Sequence, residues 1–103
     1  MPRGKASYAL SSAAARDLAG IADYTIQNFG RDQAHRYRDS LNRAFELIAA
    51  HPRMGRDQSH LRQGYRRHSH ASHVIFYRIV DEQIVVMRVL HSAQDPVRHL
   101  GKD

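Results

Sequence analysis

Four side chains between positions 67 and 91 have the chemistry that cleavage of a phosphodiester requires. Arg67, Arg78 and Arg88 offer positive charge for a phosphate, and His91 can transfer a proton near neutral pH. A ribonuclease combines such groups, because the 2′-hydroxyl must be activated and the leaving oxygen protonated. Residues 92–94, directly after His91, add neither a cation nor an aromatic ring. His91, Arg88 and Arg67 are therefore candidates for an alternative, nucleolytic function only.

A second group of arginines lies between positions 53 and 67. It consists of Arg53, Arg56, Arg62, Arg66 and Arg67, and Asp57 is the one acid among them. Such a local excess of positive charge favours contact with an acidic partner or with DNA. Arg78 and Arg88 join these candidates for binding a target or partner. Their alternative role is structural, since arginine stems can cover apolar neighbours on an exposed sheet face.

Eight histidines raise the question of a metal site. The best spacing is His68-x-His70 with His73, because residues two apart on a strand point the same way. No carboxylate joins them nearby, and a structural zinc site needs four ordered ligands. We therefore predict no metal and no cofactor. Tyr37 and Tyr77 are predicted to be core residues whose hydroxyls reach a polar partner.

Length and composition set limits on the class of protein. The chain has 103 residues, a formal charge of +6 and no cysteine, so disulfides and cysteine-based zinc sites are excluded. A single domain over residues 1–103 fits this length. No apolar run is long enough to span a bilayer, and the first residues do not resemble a signal peptide. We expect a cytoplasmic protein without membrane partners.

The elements that must position these side chains begin with a strand and two helices. Residues 6–10 alternate small and large side chains and predict a short strand. Apolar residues at helical spacing, including Phe29, then predict a helix from Ser12 to Phe29 that ends at Gly30. A second helix follows almost at once and ends at His51-Pro52, because proline disfavours helix before it. So short a connection predicts an antiparallel helical hairpin.

Three strands are predicted in the last third of the chain, at about residues 65–70, His73–Val80 and residues 84–91. A three-residue turn at 81–83 would place Val80 opposite Ile84. In that register one face is wholly apolar and should pack on the helices. Its members are Ile75, Tyr77, Ile79, Val85, Met87 and Val89.

The opposite face of these strands mixes apolar residues with cations. It carries Val74, Phe76, Arg78, Val86, Arg88 and Leu90. The same register places Phe76 opposite Arg88, and Arg78 opposite Val86. The fold class is therefore α+β, with a strand, a helical hairpin and three antiparallel strands that complete a small four-stranded sheet.

Several stretches, in this order, resemble the ParE branch of the RelE/ParE toxin superfamily. Residues 8–11, with Asp17-Leu18, are similar to the start of the family's sequences. Phe29-Gly30, with Gln33-Ala34, is similar to the junction between its two helices. Residues 51–56 look like its Pro-x-x-Gly-Arg loop. Residues 61–67 resemble its second strand and residues 72–78 its third. Residues 88–91, with Asp95, resemble the end of its last strand and the tail that follows. The resemblance covers about residues 8–100.

This resemblance implies a toxin that is neutralised by a ParD-like antitoxin and poisons DNA gyrase without catalysing a reaction itself. It implies no cofactor and no small-molecule substrate. The RelE branch shares the fold but cuts mRNA on the ribosome, so the fold alone does not choose between the two activities. A ribosome-dependent endonuclease and a simple basic nucleic-acid-binding module therefore remain as alternatives. A sheet edge or a groove beside the helices is expected to receive the antitoxin.

Overall fold

A five-stranded sheet with a helical hairpin on one face forms the body of the protein in the computed structural model, which describes residues 7–100. The elements follow the order β1 (Tyr8–Leu10), α1 (Ser12–Phe29), α2 (Arg31–Ala50), a 3-10 turn (Pro52–Met54), β2 (Arg56–Asp57), β3 (Arg66–His70), β4 (His73–Val80), β5 (Gln83–His91) and α3 (Pro96–Leu100). Ala6, which was included in the predicted first strand, lies outside the described residues. No helix within residues 7–100 is long and apolar enough to cross a membrane.

The sheet has the strand order β1-β5-β4-β3-β2, with β1 parallel to β5 and the other pairs antiparallel. The α+β class is confirmed, but the prediction of four strands is wrong. Arg56, which was assigned to a loop, and Asp57 pair with Arg67 and Arg66 as the short edge strand β2. The 3-10 turn positions this strand, and two residues with no apolar alternation gave no strand signal in the sequence.

The helical hairpin forms because each helix has a defined end. Ser11 caps α1, since its side-chain oxygen accepts a hydrogen bond from the backbone N–H of Ala14 at 3.0 Å. Gly30, with φ of 89°, is the single residue between the helices. Apolar residues of both helices then bury against the sheet. This main core contains Ala14, Leu41, Phe45, Ile48, Ile75, Tyr77, Ile84, Val86 and Val89.

The register of the β4–β5 hairpin differs from the prediction near its turn. The turn has two residues, Asp81 and Glu82, both with positive φ (51° and 67°), so that Val80 faces Gln83. Positive φ at both positions is the geometry that matches strand twist, although neither residue is glycine or asparagine. The shift of one residue turns Ile84 and Val86 toward the helices instead of Val85 and Met87.

A β-bulge on β5 corrects this shift halfway along the hairpin. Tyr77 pairs with Val86 and Phe76 with Arg88, so Met87 is the extra residue. Beyond the bulge the predicted pairs hold, and Phe76 lies opposite Arg88 as expected. Between the turn and the bulge the predicted pairs do not form, and Arg78 lies opposite Val85 rather than Val86.

The second face of the sheet has a small core of its own. Phe76, Val74 and Leu90 are at most 4 % exposed and pack with Tyr65 and Leu100. The mixed apolar and cationic composition of this face was predicted correctly, except that Val86 lies on the helix side. Its exposure was not, because the loop before β3 and helix α3 cover the apolar residues.

Gly55 is required where the chain leaves the 3-10 turn. Its N–H donates to the Tyr77 hydroxyl at 2.8 Å, and that hydroxyl donates to the Pro52 carbonyl at 2.7 Å. Tyr77 is therefore the buried tyrosine with a polar partner that was predicted. A Cβ on Gly55 would fall 2.8 Å from Tyr77 Cε1 and 2.9 Å from the Arg67 carbonyl oxygen, and nearer still to the Tyr77 hydroxyl.

Gly55→Ala is expected to lower the free energy of unfolding by about 2–3 kcal/mol, because a buried ring and backbone must move to admit the methyl group. Gly20→Ala is the matched control. A Cβ there meets no atom within 4 Å, and alanine should stabilise the interior of α1 by about 1 kcal/mol. Urea unfolding measures both changes. Equal effects of the two substitutions would contradict the packing described for Gly55.

Candidate functional site: an apolar groove and an arginine face

A groove of about 780 Å³ runs beside α1, between the start of α2, the start of β4 and the end of β5. Tyr24 and Phe29 on α1 form its rim, and their ring centroids are 6.5 Å apart. These side chains are 63 % and 66 % exposed, so the prediction that Phe29 lies on the packed face is wrong. Two exposed aromatic rings beside an open cavity are typical of a docking surface.

Polar groups form the floor of the groove. The Tyr37 hydroxyl and His73 Nδ1 lie 2.6 Å apart and share a hydrogen bond, which gives Tyr37 its predicted polar partner. The rings of His73 and His91 are 5.5 Å apart. His91 Nδ1 accepts a hydrogen bond from the Ala93 N–H at 3.0 Å, so neutral His91 carries its proton on Nε2. The groove therefore presents apolar walls around a few oriented donors and acceptors.

Burial lowers the pKa of His73 below its ordinary value of 6.5, and the neighbouring His91 and His70 lower it further. Protonation is thus disfavoured in the folded protein. The unfolded chain takes up the proton near pH 6.5, so stability should be lost progressively as the pH falls below that value. Urea unfolding on either side of this pH measures the loss. We expect a smaller loss in His73→Gln, whereas exposed His35→Gln should behave as the unaltered protein, and identical pH profiles would contradict the assignment.

Asp17, which lines the groove, forms an ion pair at the edge of β5. Arg88 Nε and Nη2 donate to the two Asp17 carboxylate oxygens at 2.8 and 3.0 Å, and the Val89 N–H donates to the same carboxylate at 2.8 Å. The hydrogen bond to Asp17 is the main reason why the pKa of Arg88 is raised. The β1 pairing ends at Val86, so Asp17 supplies a partner that the edge of β5 would otherwise lack.

The edge of β5 is also covered further along, because the His91 N–H donates to Gln94 Oε1 at 2.7 Å. An incoming strand would have to displace this side chain as well as Asp17. The groove beside this edge is open, however, and its walls are helical. Open apolar grooves beside helices commonly receive an amphipathic helix.

Five of the seven predicted arginines lie on or beside the second face of the sheet. Strand pairing places Arg56, Arg67, Phe76 and Arg88 in one row across β2, β3, β4 and β5. The Arg67 guanidinium lies 5.7 Å from the centre of the Phe76 ring. We call this surface the arginine face; it comprises Arg56, Arg62, Arg67, Arg78 and Arg88.

Three of these arginines also have structural contacts. Arg62 lies 5.9 Å from the centre of the Tyr65 ring and donates to the Leu100 carbonyl at 2.9 Å. Arg78 is exposed beside Gly64, and Arg88 is held by Asp17. The covering role considered for Arg78 and Arg88 thus coexists with a positively charged surface.

The other two predicted arginines lie elsewhere. Arg66 is opposite Tyr77, on the helix side, and donates to the Gly55 carbonyl at 2.7 Å and to the Arg53 carbonyl at 3.4 Å. It therefore holds the 3-10 turn in place. Arg53 is an exposed residue of that turn.

The candidate nuclease residues do not converge. His91 follows Val89 by two residues and shares its side of the sheet, where it lines the groove. Arg67 and Arg88 belong to the row on the opposite face. The three side chains therefore do not face a common site.

The histidines considered for a metal have other contacts. His70 Nε2 lies 3.0 Å from Ser40 Oγ, and His73 is joined to Tyr37. Within residues 7–100, no group of three or more histidine or acidic side chains is arranged to hold a metal ion.

Sequence reasoning missed several residues of the groove. Tyr24 and Gln94 gave no signal, because an isolated exposed aromatic residue or glutamine has no distinctive spacing. Asp17 appeared only within a family-like motif, and its contact with Arg88 spans 71 positions in the sequence. To predict such a contact, one must know how β5 is placed relative to α1, which the sequence does not indicate.

Comparisons with known proteins agree on one family. The model for the ParE toxin of the parDE type II toxin–antitoxin system matches residues 8–96. The chain is 44 % identical over 94 residues to Toxin ParE1 of Caulobacter vibrioides, covering 91 % of this chain and 97 % of that protein. It is also 44 % identical to Toxin ParE1 of Mycobacterium tuberculosis, with 90 % and 96 % covered. A chain from a chromosomal ParDE system of P. aeruginosa shares the fold, with a TM-score of 0.71, 19 % identity and coverage of 82 % and 94 %.

Proposed function

This chain belongs to the family of ParE toxins of type II toxin–antitoxin systems, and from that premise we propose that it poisons DNA gyrase and is neutralised by a ParD-like antitoxin. The observation that carries the proposal is the separation of His91 from Arg67 and Arg88 on opposite faces of the sheet. A toxin without an assembled proton-transfer and phosphate site acts through binding rather than through cleavage of RNA.

The groove is the proposed antitoxin site. Its aromatic rim, Tyr24 and Phe29, can receive the apolar stripe of an amphipathic helix. An antitoxin with acidic residues around that stripe would complement the toxin, whose formal charge is +6. Such complementarity accelerates association at low salt more than it raises affinity.

The arginine face is the proposed contact with the complex of gyrase and DNA. It lies across the sheet from the helices, so an antitoxin helix in the groove leaves it uncovered. Neutralisation then requires that the antitoxin extends from the groove around the sheet edge to the arginine face. Because gyrase acts on the chromosome, the proposed site of action is the cytoplasm.

Inducible expression in cells tests the proposed target. DNA and protein synthesis are followed separately, by incorporation of labelled thymidine and labelled methionine. A gyrase poison should stop DNA synthesis first and leave translation running, and co-expression of the antitoxin should restore replication. If translation stops first and messenger RNA is cleaved, the RelE-like alternative holds and the proposal fails.

A further inference from the structure

A second cavity, of about 520 Å³, opens between the start of α1, β5, the loop before β3 and α3. Four arginines line this cavity, namely Arg16, Arg62, Arg88 and Arg98. None of the described residues that line it is acidic. We call it the arginine pocket, and its Arg62 and Arg88 also belong to the arginine face.

Two of the four guanidinium groups are fixed in place. Arg88 is held by Asp17, and its Nη1 donates to the His99 carbonyl at 3.3 Å. Arg62 Nη1 donates to the Leu100 carbonyl at 2.9 Å. These contacts join the pocket to the end of α3 and orient two positive charges in advance, which lowers the entropic cost of binding an anion.

The other two cations have no counter-charge in the described part of the chain. Arg16 and Arg98 are exposed, and within residues 7–100 neither makes an ion pair or a side-chain hydrogen bond. Their proximity to Arg62 and Arg88 concentrates positive potential in a concave site. A bound anion would be stabilised there, because clefts with one sign of charge focus the field.

Tyr65 gives an independent indication of a ligand. It lines the pocket and is only 6 % exposed, yet its hydroxyl makes no hydrogen bond to any residue between 7 and 100. Within residues 7–100 the hydroxyl interacts electrostatically with Arg88, but the hydroxyl of so buried a tyrosine usually makes a hydrogen bond as well. An oxygen-rich ligand in the pocket would accept this hydrogen bond together with those of the guanidinium groups.

We propose that the arginine pocket binds a phosphate group, supplied by the backbone of a nucleic acid or by a free nucleotide. Several guanidinium forks around one cavity match the multiple oxygens of phosphate better than the two oxygens of a carboxylate. The pocket is continuous with the arginine face through Arg62 and Arg88, so a nucleic-acid strand lying on that face reaches it. The site does not depend on gyrase poisoning and is tested without gyrase.

The test measures binding of a fluorescein-labelled oligothymidylate to the full-length protein by anisotropy, with pyrophosphate as competitor. The Arg16→Ala/Arg98→Ala variant should bind about a hundredfold more weakly, since each charge-assisted hydrogen bond contributes about tenfold. Arg36→Ala/Arg38→Ala removes the same charge from exposed positions on α2 and should weaken binding only about twofold, through net charge.

Tyr65→Phe tests the pocket without changing the charge of the protein. The variant should bind the oligonucleotide about fivefold more weakly. Its melting temperature without ligand should fall little, because the hydroxyl makes no hydrogen bond within residues 7–100 that the substitution would remove. A hydroxyl with only a structural role would show the reverse pattern.

Competition distinguishes the two sources of phosphate. Displacement of the oligonucleotide by pyrophosphate at similar concentration indicates a pocket for a free phosphate compound, and weak displacement indicates the nucleic-acid backbone. Both results support the site. An equal loss in the two double variants, or unchanged binding by Tyr65→Phe, would overturn it.

Discussion

Asp17→Asn is expected to lower the free energy of unfolding by about 2–3 kcal/mol, because it leaves the Arg88 guanidinium without its counter-charge. The carboxylate and the guanidinium side chains are only 14 % and 25 % exposed, so water compensates the loss poorly. The figure is below that of a fully buried pair, since solvent partly screens this one. Asparagine can still accept from Val89 N–H, which isolates the effect of the charge.

Asp39→Asn is the matched control for this prediction. Asp39 lies 3.8 Å from Arg38 on α2, with both side chains more than half exposed, so its loss should change stability by less than about 0.5 kcal/mol. Urea unfolding at one pH compares the two variants. If Asp39→Asn destabilises as much as Asp17→Asn, the ion pair at the groove does not have the structural role described.

Tyr24→Ala/Phe29→Ala is expected to weaken antitoxin binding by about a thousandfold. Aromatic residues at the centre of an interface typically contribute about 2 kcal/mol or more each when truncated. Both side chains are largely exposed in the isolated toxin, so the stability of the toxin should change little. Calorimetric titration with the antitoxin measures the affinity, and thermal unfolding measures the stability.

Leu47→Ala/Met54→Ala removes exposed apolar side chains of similar character outside the groove. This control should bind the antitoxin as the unaltered protein does. The groove variant should also remain active on gyrase while escaping neutralisation. A thousandfold loss in the control, or full neutralisation of the groove variant, would place the antitoxin elsewhere.

The helices and the order of elements could be predicted because their signals are local. A capping serine, a single glycine and a proline set the ends of α1 and α2, and the observed bounds agree with those signals. Strand pairing was harder to predict from the sequence. The turn between β4 and β5 contains no glycine, so its two-residue form was not indicated, and the bulge at Met87 depends on packing against both faces.

The candidate site was predictable as a set of residue types but not as an arrangement. Arginines of residues 53–67 were expected to form one surface, and the alternation of β3 instead divides Arg66 from Arg67. His91 and Arg88 are three residues apart in sequence, and alternation places them on opposite faces. The Asp17–Arg88 pair and the exposed rim of the groove could not be predicted from sequence. Both depend on contacts between residues that are far apart in the chain.

The most direct test of gyrase poisoning incubates the purified protein with gyrase, ATP and supercoiled plasmid, and then denatures the enzyme. The proposal predicts that linear DNA accumulates, and that prior addition of the antitoxin prevents this. The Tyr24→Ala/Phe29→Ala variant should still produce linear DNA when the antitoxin is present. Plasmid that stays intact at toxin concentrations which arrest replication in cells would contradict gyrase as the target.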